Sequence, residues 1–122
     1  MQSIFITGAA SGIGKATARV FAERGFFVGL YDVDEDGARE LAATLGPNAI
    51  AGALDVRDRT AYAKAIAAFG DRTGGTMDVL FGCAGVLKFA AFTDCTAEEA
   101  DRQIAINVNG VVNGIYAALP LL

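Results

Sequence analysis

The sequence predicts an α/β fold, a doubly wound parallel sheet with helices on both faces. Three observations lead there. Short, continuously apolar runs alternate with stretches of helical period. A glycine-rich turn joins the first apolar run to the first helical stretch. Each run closes at a glycine or an aspartate, as strands do where they hand over to helices. Continuous apolar strands are those of a sheet buried on both faces, and strand-helix alternation makes that sheet parallel.

In chain order, Ile4-Phe5-Ile6 is the first strand, ending at Thr7-Gly8. A helix follows from about Gly12 to Arg24, with Ile13, Ala16, Thr17, Val20 and Phe21 on one face and Gly25 as its stop. The second strand, Phe26 to Tyr31, ends at Asp32. A second helix spans about Glu35 to Leu45, carries Ala38, Leu41, Ala42 and Leu45 on one side, and is broken by Gly46-Pro47-Asn48. Ala49 to Leu54 is the third strand, ending at Asp55. The third helix runs from about Arg59 to Phe69 with Tyr62, Ile66 and Phe69 inward, and Gly70 to Gly75 is expected to be loop. Met77 to Phe81 is the fourth strand, before Gly82-Cys83-Ala84-Gly85. The last element is a long helix from about Ala97 to Leu122, opened by a capping box of Thr96 and Glu99, with Pro120 marking a kink or stop. Ile104, Val108, Val111, Ile115 and Leu119 form one apolar stripe on it, and Ile106, Val112 and Tyr116 a second side. One side is expected to pack on the sheet and the other to need a partner, either further chain or another subunit.

Bulk properties narrow the function classes. The 122 residues are 53% hydrophobic, enough for one domain spanning 1–122 and too few for two. The formal net charge is -4 and the ten basic residues are scattered, so no nucleic-acid partner is expected. No run reaches the roughly 18 apolar residues of a membrane helix, and the first residues lack the basic and apolar regions of a signal peptide. A cytoplasmic protein without a membrane partner is the expectation. The chain has no histidine, which removes the Ser-His-Asp triad, the Cys-His dyad and His-ligated metal. Cys83 and Cys95 lack the paired spacing of a zinc site, so no metal is expected and both read as small, reduced, buried side chains.

Thr7-Gly8-Ala9-Ala10-Ser11-Gly12-Ile13-Gly14 sits between the first strand and the first helix, where a dinucleotide fingerprint belongs. Gly8 allows a sharp turn, a Cβ at Gly12 would block a pyrophosphate, and Gly14 lets helix approach strand. The helix start then offers free N–H groups to a diphosphate, and the Ser11 hydroxyl adds a donor. The fold is therefore expected to be of the Rossmann type. A bare βα turn is the competing reading of the glycines alone.

Asp32 lies 18 residues past Gly14, close to the offset of about 20 at which an acid meets the adenosine ribose. A carboxylate there accepts from both ribose hydroxyls and repels a 2′-phosphate. Neither Ser11 nor Val33 is basic, so nothing offsets that repulsion and NAD is preferred to NADP. Alone, Asp32 would read equally as a loop cap beside Asp34. Asp55 can accept from the adenine amino group with Val56 against the ring, or can simply end a strand.

The spacing Gly-x-x-x-Gly-x-Gly resembles the TGxxxGIG turn of the short-chain dehydrogenase/reductase family, and the resemblance covers essentially all 122 residues. It implies that Asp32 is the family's NAD-selecting acid and Asp55-Val56 its adenine-contacting pair. Gly82-Cys83-Ala84-Gly85 aligns with the family's Asn-Asn-Ala-Gly segment, which places Cys83, Ala84 and Gly85 beside the cofactor. Both Asn are replaced here, so their side-chain hydrogen bonds are lost. Asn107, in Ile106-Asn107-Val108-Asn109-Gly110, maps to the family's catalytic Asn, which holds a water in a proton relay; without the family pattern it would read as a polar helix residue. The family's Ser and its Tyr-x-x-x-Lys fall beyond Leu122, and Tyr31, Tyr62 and Tyr116 have no Lys at that spacing.

The resemblance implies an NAD-dependent enzyme moving hydride between NAD and a secondary alcohol or ketone. These residues form its cofactor-binding half and are expected to be inactive alone. A homodimer or homotetramer through the helix at 97–122 is expected with it. The alternative is a non-catalytic dinucleotide-binding or dimerisation module. A Rossmann-like methyltransferase would make the Asn107 segment a coincidence. An unpaired fourth-strand edge and an uncovered helix side lead us to expect self-association of this stretch by itself.

Overall fold

The computed structural model describes residues 1–122. Four strands, β1 (Ser3–Thr7), β2 (Phe27–Asp32), β3 (Ala49–Ala53) and β4 (Val79–Gly82), form one parallel sheet in the order β3-β2-β1-β4. The expected strands are all present, each shifted by one or two residues. The chain moves outward from β1 to β3, then crosses back to place β4 on the other side of β1. That reversal opens a crevice at the carboxyl ends of β1 and β4.

Helices α1 (Gly12–Glu23) and α2 (Glu35–Leu45) follow β1 and β2. With the sheet they enclose a cluster of Ile4, Ile6, Val28, Leu30, Ala38 and Leu41. On the other face α3 (Arg59–Thr73) and the last helical segment enclose Phe5, Tyr31, Tyr62, Ile66 and Phe69. Phe5 stacks on Tyr31 with ring centroids 4.6 Å apart and meets Phe69 edge-on at 5.4 Å. Strand residues alternate between the two clusters, which is why the middle of each strand is apolar on both faces.

Four expectations need correction. Helix α3 continues to Thr73 rather than stopping at Phe69, and is closed by Gly74 at φ 69°, so most of the expected loop from Gly70 is helix. The final helix is interrupted. It runs as α4 (Ala97–Ile104), a π-type turn (Ala105–Asn109) and α5 (Gly110–Ala118), and ends before Pro120. Its opening capping box is present as expected. The third correction concerns facing. In α1 the buried positions are Gly14 and Ala18, while Ile13, Ala16 and Val20 are exposed. Along the last helical segment the packed side is Ile106, Gly110, Asn113, Gly114 and Ala118, so neither apolar side packs on the sheet as a whole: the stripe of Ile104, Val108, Val111, Ile115 and Leu119 faces outward, and of the second side only Ile106 is buried while Val112 and Tyr116 are exposed. Close approach explains both. A Cβ at Gly14 would collide with the Gly8 carbonyl oxygen, and one at Gly114 with the Tyr62 hydroxyl. Small residues bury where backbones nearly touch, and large ones are left outside. Finally, Cys83 and Cys95 are half-buried rather than buried. No helix is long and apolar enough to cross a membrane.

Candidate functional site

The crevice at the carboxyl ends of the strands has a volume of about 490 Å³. Each residue expected to touch cofactor lines it: Gly8, Ser11, Gly12, Ile13 and Gly14 from the first turn, Asp32 and Val33 after β2, Asp55 and Val56 after β3, and Cys83, Ala84 and Gly85 after β4. Gly8 and Gly12 adopt positive φ, 66° and 54°. Only glycine takes these angles cheaply. A Cβ on Gly12, which lines the crevice, would meet no protein atom within 4 Å, so it is the backbone angle and not crowding by the protein that calls for glycine there. Ser11 is the N-cap of α1, yet its hydroxyl makes no capping bond and stays available. The turn and helix start thus form an anion cradle.

Asp32 joins this cradle to the second strand. The Ala10 N–H donates to its Oδ2 at 2.9 Å and the Asp34 N–H to its Oδ1 at 3.0 Å. Each oxygen keeps a lone pair for a further donor. The loop-cap role weighed for Asp32 is real, and it fixes the carboxylate at the crevice wall.

Asp55 is held by Arg57, a residue the motif reading passed over. The guanidinium grips both carboxylate oxygens, with Nη2 2.7 Å from Oδ2 and Nε 3.0 Å from Oδ1. The Arg57 N–H donates to the same Oδ1 at 3.0 Å. These bonds hold the Asp55 carboxyl below its ordinary pKa. The neighbouring Val56 N–H donates to no group of the protein. Arg102 of α4 also reaches the crevice. Nothing in their local sequence marked the two arginines, since each is one of several scattered cations.

Beyond β4, the Thr7 hydroxyl accepts from the Ala84 N–H at 3.2 Å. Asn107 lies outside the crevice lining and grips Val86: its Oδ1 accepts from the Val86 N–H at 2.8 Å and its Nδ2 donates to the Val86 carbonyl at 2.7 Å. These bonds fasten the Cys83–Val86 segment without the two missing Asn side chains. Lys88 pairs with Glu99 at 2.7 Å and ties the next loop to α4. Tyr62 is buried under α5, and burial pushes its phenol up to about 12, so it stays protonated at neutral pH.

This fold, with its crevice at the sheet's reversal point, defines an α/β domain of the Rossmann type. Comparison with known proteins then gives the family: the short-chain dehydrogenase family model matches residues 2–122, and the chain belongs to that family. It is 38% identical over 111 residues to the sorbitol dehydrogenase of Cereibacter sphaeroides, covering 91% of this chain and 43% of that protein. It is 40% identical over 121 residues to the probable oxidoreductase EphD of Mycobacterium tuberculosis, covering 93% of this chain and 20% of that protein. Among solved structures, a short-chain dehydrogenase/reductase (glucose/ribitol dehydrogenase) from Brucella melitensis superposes with a TM-score of 0.95 at 31% identity, over 99% of this chain and 52% of that one. The chain thus spans less than half the length of these curated relatives.

Proposed function

We propose that this chain is the cofactor-binding half of an NAD-dependent oxidoreductase that interconverts a secondary alcohol and a ketone. The observation that carries the reading is the convergence of the first turn, Asp32, the Asp55-Val56 pair and the Cys83–Gly85 segment on one crevice at the sheet's reversal point. The crevice suits an adenine dinucleotide along its length. The α1 start and Ser11 hold the diphosphate. Asp32 accepts from the adenosine ribose hydroxyls. The Asp55 carboxylate and the free Val56 N–H offer an acceptor beside a donor, the complement of adenine's amino group and adjacent ring nitrogen. NAD supplies the hydride acceptor or donor; the protein contributes position and electrostatics.

NAD is favoured over NADP because Asp32 meets the ribose and neither Ser11 nor Val33 is basic. Asn107 is assigned to the catalytic apparatus through the loop it fixes and the relay water it would hold. The apolar outer face of α5 is assigned to assembly into a homodimer or homotetramer, and the protein to the cytoplasm. The test is steady-state turnover of the full-length protein on secondary alcohols with NAD or NADP. NAD-dependent oxidation is expected. Turnover with neither nicotinamide would favour a non-catalytic dinucleotide-binding or dimerisation module.

A further inference from the structure

Asn113 is a buried polar side chain on α5 that the proposed chemistry does not use, 5% exposed and facing the loop after β3. Its two ends are both engaged. Arg59 Nε donates to its Oδ1 at 2.9 Å, and its Nδ2 donates to the Val56 carbonyl at 2.9 Å. A guanidinium can only donate, so Arg59 fixes which end of the amide is oxygen and turns the NH2 toward Val56. The peptide unit that Val56 shares with Arg57 is therefore held at its carbonyl by Asn113. At its other end the Arg57 N–H donates to Asp55 Oδ1. Arg59, Asn113, this peptide and the Asp55 carboxylate form one chain in which every donor points the same way, an arrangement in which each bond polarises the next. Gly110 completes the clamp: a Cβ there would press on Val56 Cγ2 at 2.5 Å.

We propose that Asn113, oriented by Arg59, is a positioning residue that sets the base selectivity of the crevice for a 6-aminopurine. It does so by fixing the Val56–Arg57 peptide and through it the Asp55 acceptor. The proposal rests on the reading of the crevice as an adenine dinucleotide site. A 6-oxopurine presents an acceptor and a ring N–H where adenine presents a donor and a bare nitrogen. A fixed carboxylate beside a fixed N–H rejects it, and a loosened pair rejects it less.

The test is calorimetric titration of the full-length protein with ADP-ribose and with its hypoxanthine analogue. It compares wild type, Asn113→Leu and Arg59→Gln. Wild type should prefer the amino base by at least about tenfold, a bonded acceptor being worth roughly that factor. Asn113→Leu should cut the preference to about one third or less of the wild-type ratio. Arg59→Gln, at an exposed position, should lower it in the same direction and serves if the leucine variant does not fold. Loss of affinity for both ligands in equal proportion would mean that Asn113 is only structural, and would overturn the proposal. An unchanged ratio in either folded variant would do the same. A wild type that binds neither ligand would sink the adenine-site reading itself, and a wild type that binds both equally would sink only the selectivity.

Discussion

Asp32 carries two duties at once, and they can be separated. Its carboxylate anchors the glycine-rich turn through Ala10 while facing the crevice. Asp32→Asn keeps one acceptor oxygen for the Ala10 anchor, gives up the acceptor for the exposed Asp34 N–H, and removes the negative charge. The expected result is a fall of about tenfold in the preference for NAD over NADP, with the thermal midpoint nearly kept, read by titration and by melting of the same samples. Asp55 and Arg57 give a pH-dependent counterpart. Arg57 depresses the folded-state pKa of Asp55, so the pair stabilises the fold above the unfolded Asp value of about 3.9, and that contribution is lost as pH falls through the lower folded value. Arg57→Ala should therefore melt slightly below wild type at neutral pH, and the gap should close in acid. A gap of constant size from neutral to strongly acid pH would show that the ion pair contributes nothing. Asp32 and the glycines were legible because a short spacing along the chain encodes them. Arg57 and Asn113 were not, because their meaning comes from partners supplied by the fold; Asn113 meets Val56 across 57 positions.

At the scale of elements, strand-helix order and the capping box could be read directly, since both depend on neighbours along the chain. Helix facing could not. Periodicity places large apolar residues inside, yet α1 and α5 pack through Gly14, Ala18, Gly110 and Gly114. The deciding quantity is interhelix and helix-strand distance, which the sequence does not state. Gly14→Ala tests it: the added methyl meets the Gly8 carbonyl, which is backbone and cannot swing away. Destabilisation of about 1–3 kcal/mol in denaturant unfolding is expected, with weaker cofactor binding because the turn must shift. Ala16→Ser, on the exposed side of the same helix, should change little. The π-type turn at Ala105–Asn109 likewise left no mark in the periodicity, although it sits where Asn107 reaches Val86.

At the scale of the molecule, the outer face of the last helix is an unpaired apolar surface. Tyr116 is 75% exposed and Leu119 62%, with Ile104, Val108 and Ile115 alongside. Contiguous apolar area of this kind drives association in water. The 122 residues by themselves should sediment as oligomers with a concentration-dependent melt, and Ile115→Glu with Tyr116→Glu should shift them toward monomer. A sharp, concentration-independent monomeric melt of the unaltered stretch would contradict this. The crevice governs what the protein does. Its assignment to NAD is tested most directly by equilibrium titration of the full-length protein with NAD and with NADP. Saturable one-site binding of NAD, at least about tenfold tighter than NADP, is expected if Asp32 accepts from free ribose hydroxyls and repels a 2′-phosphate as proposed. Tighter binding of NADP, or binding of neither, would contradict that assignment.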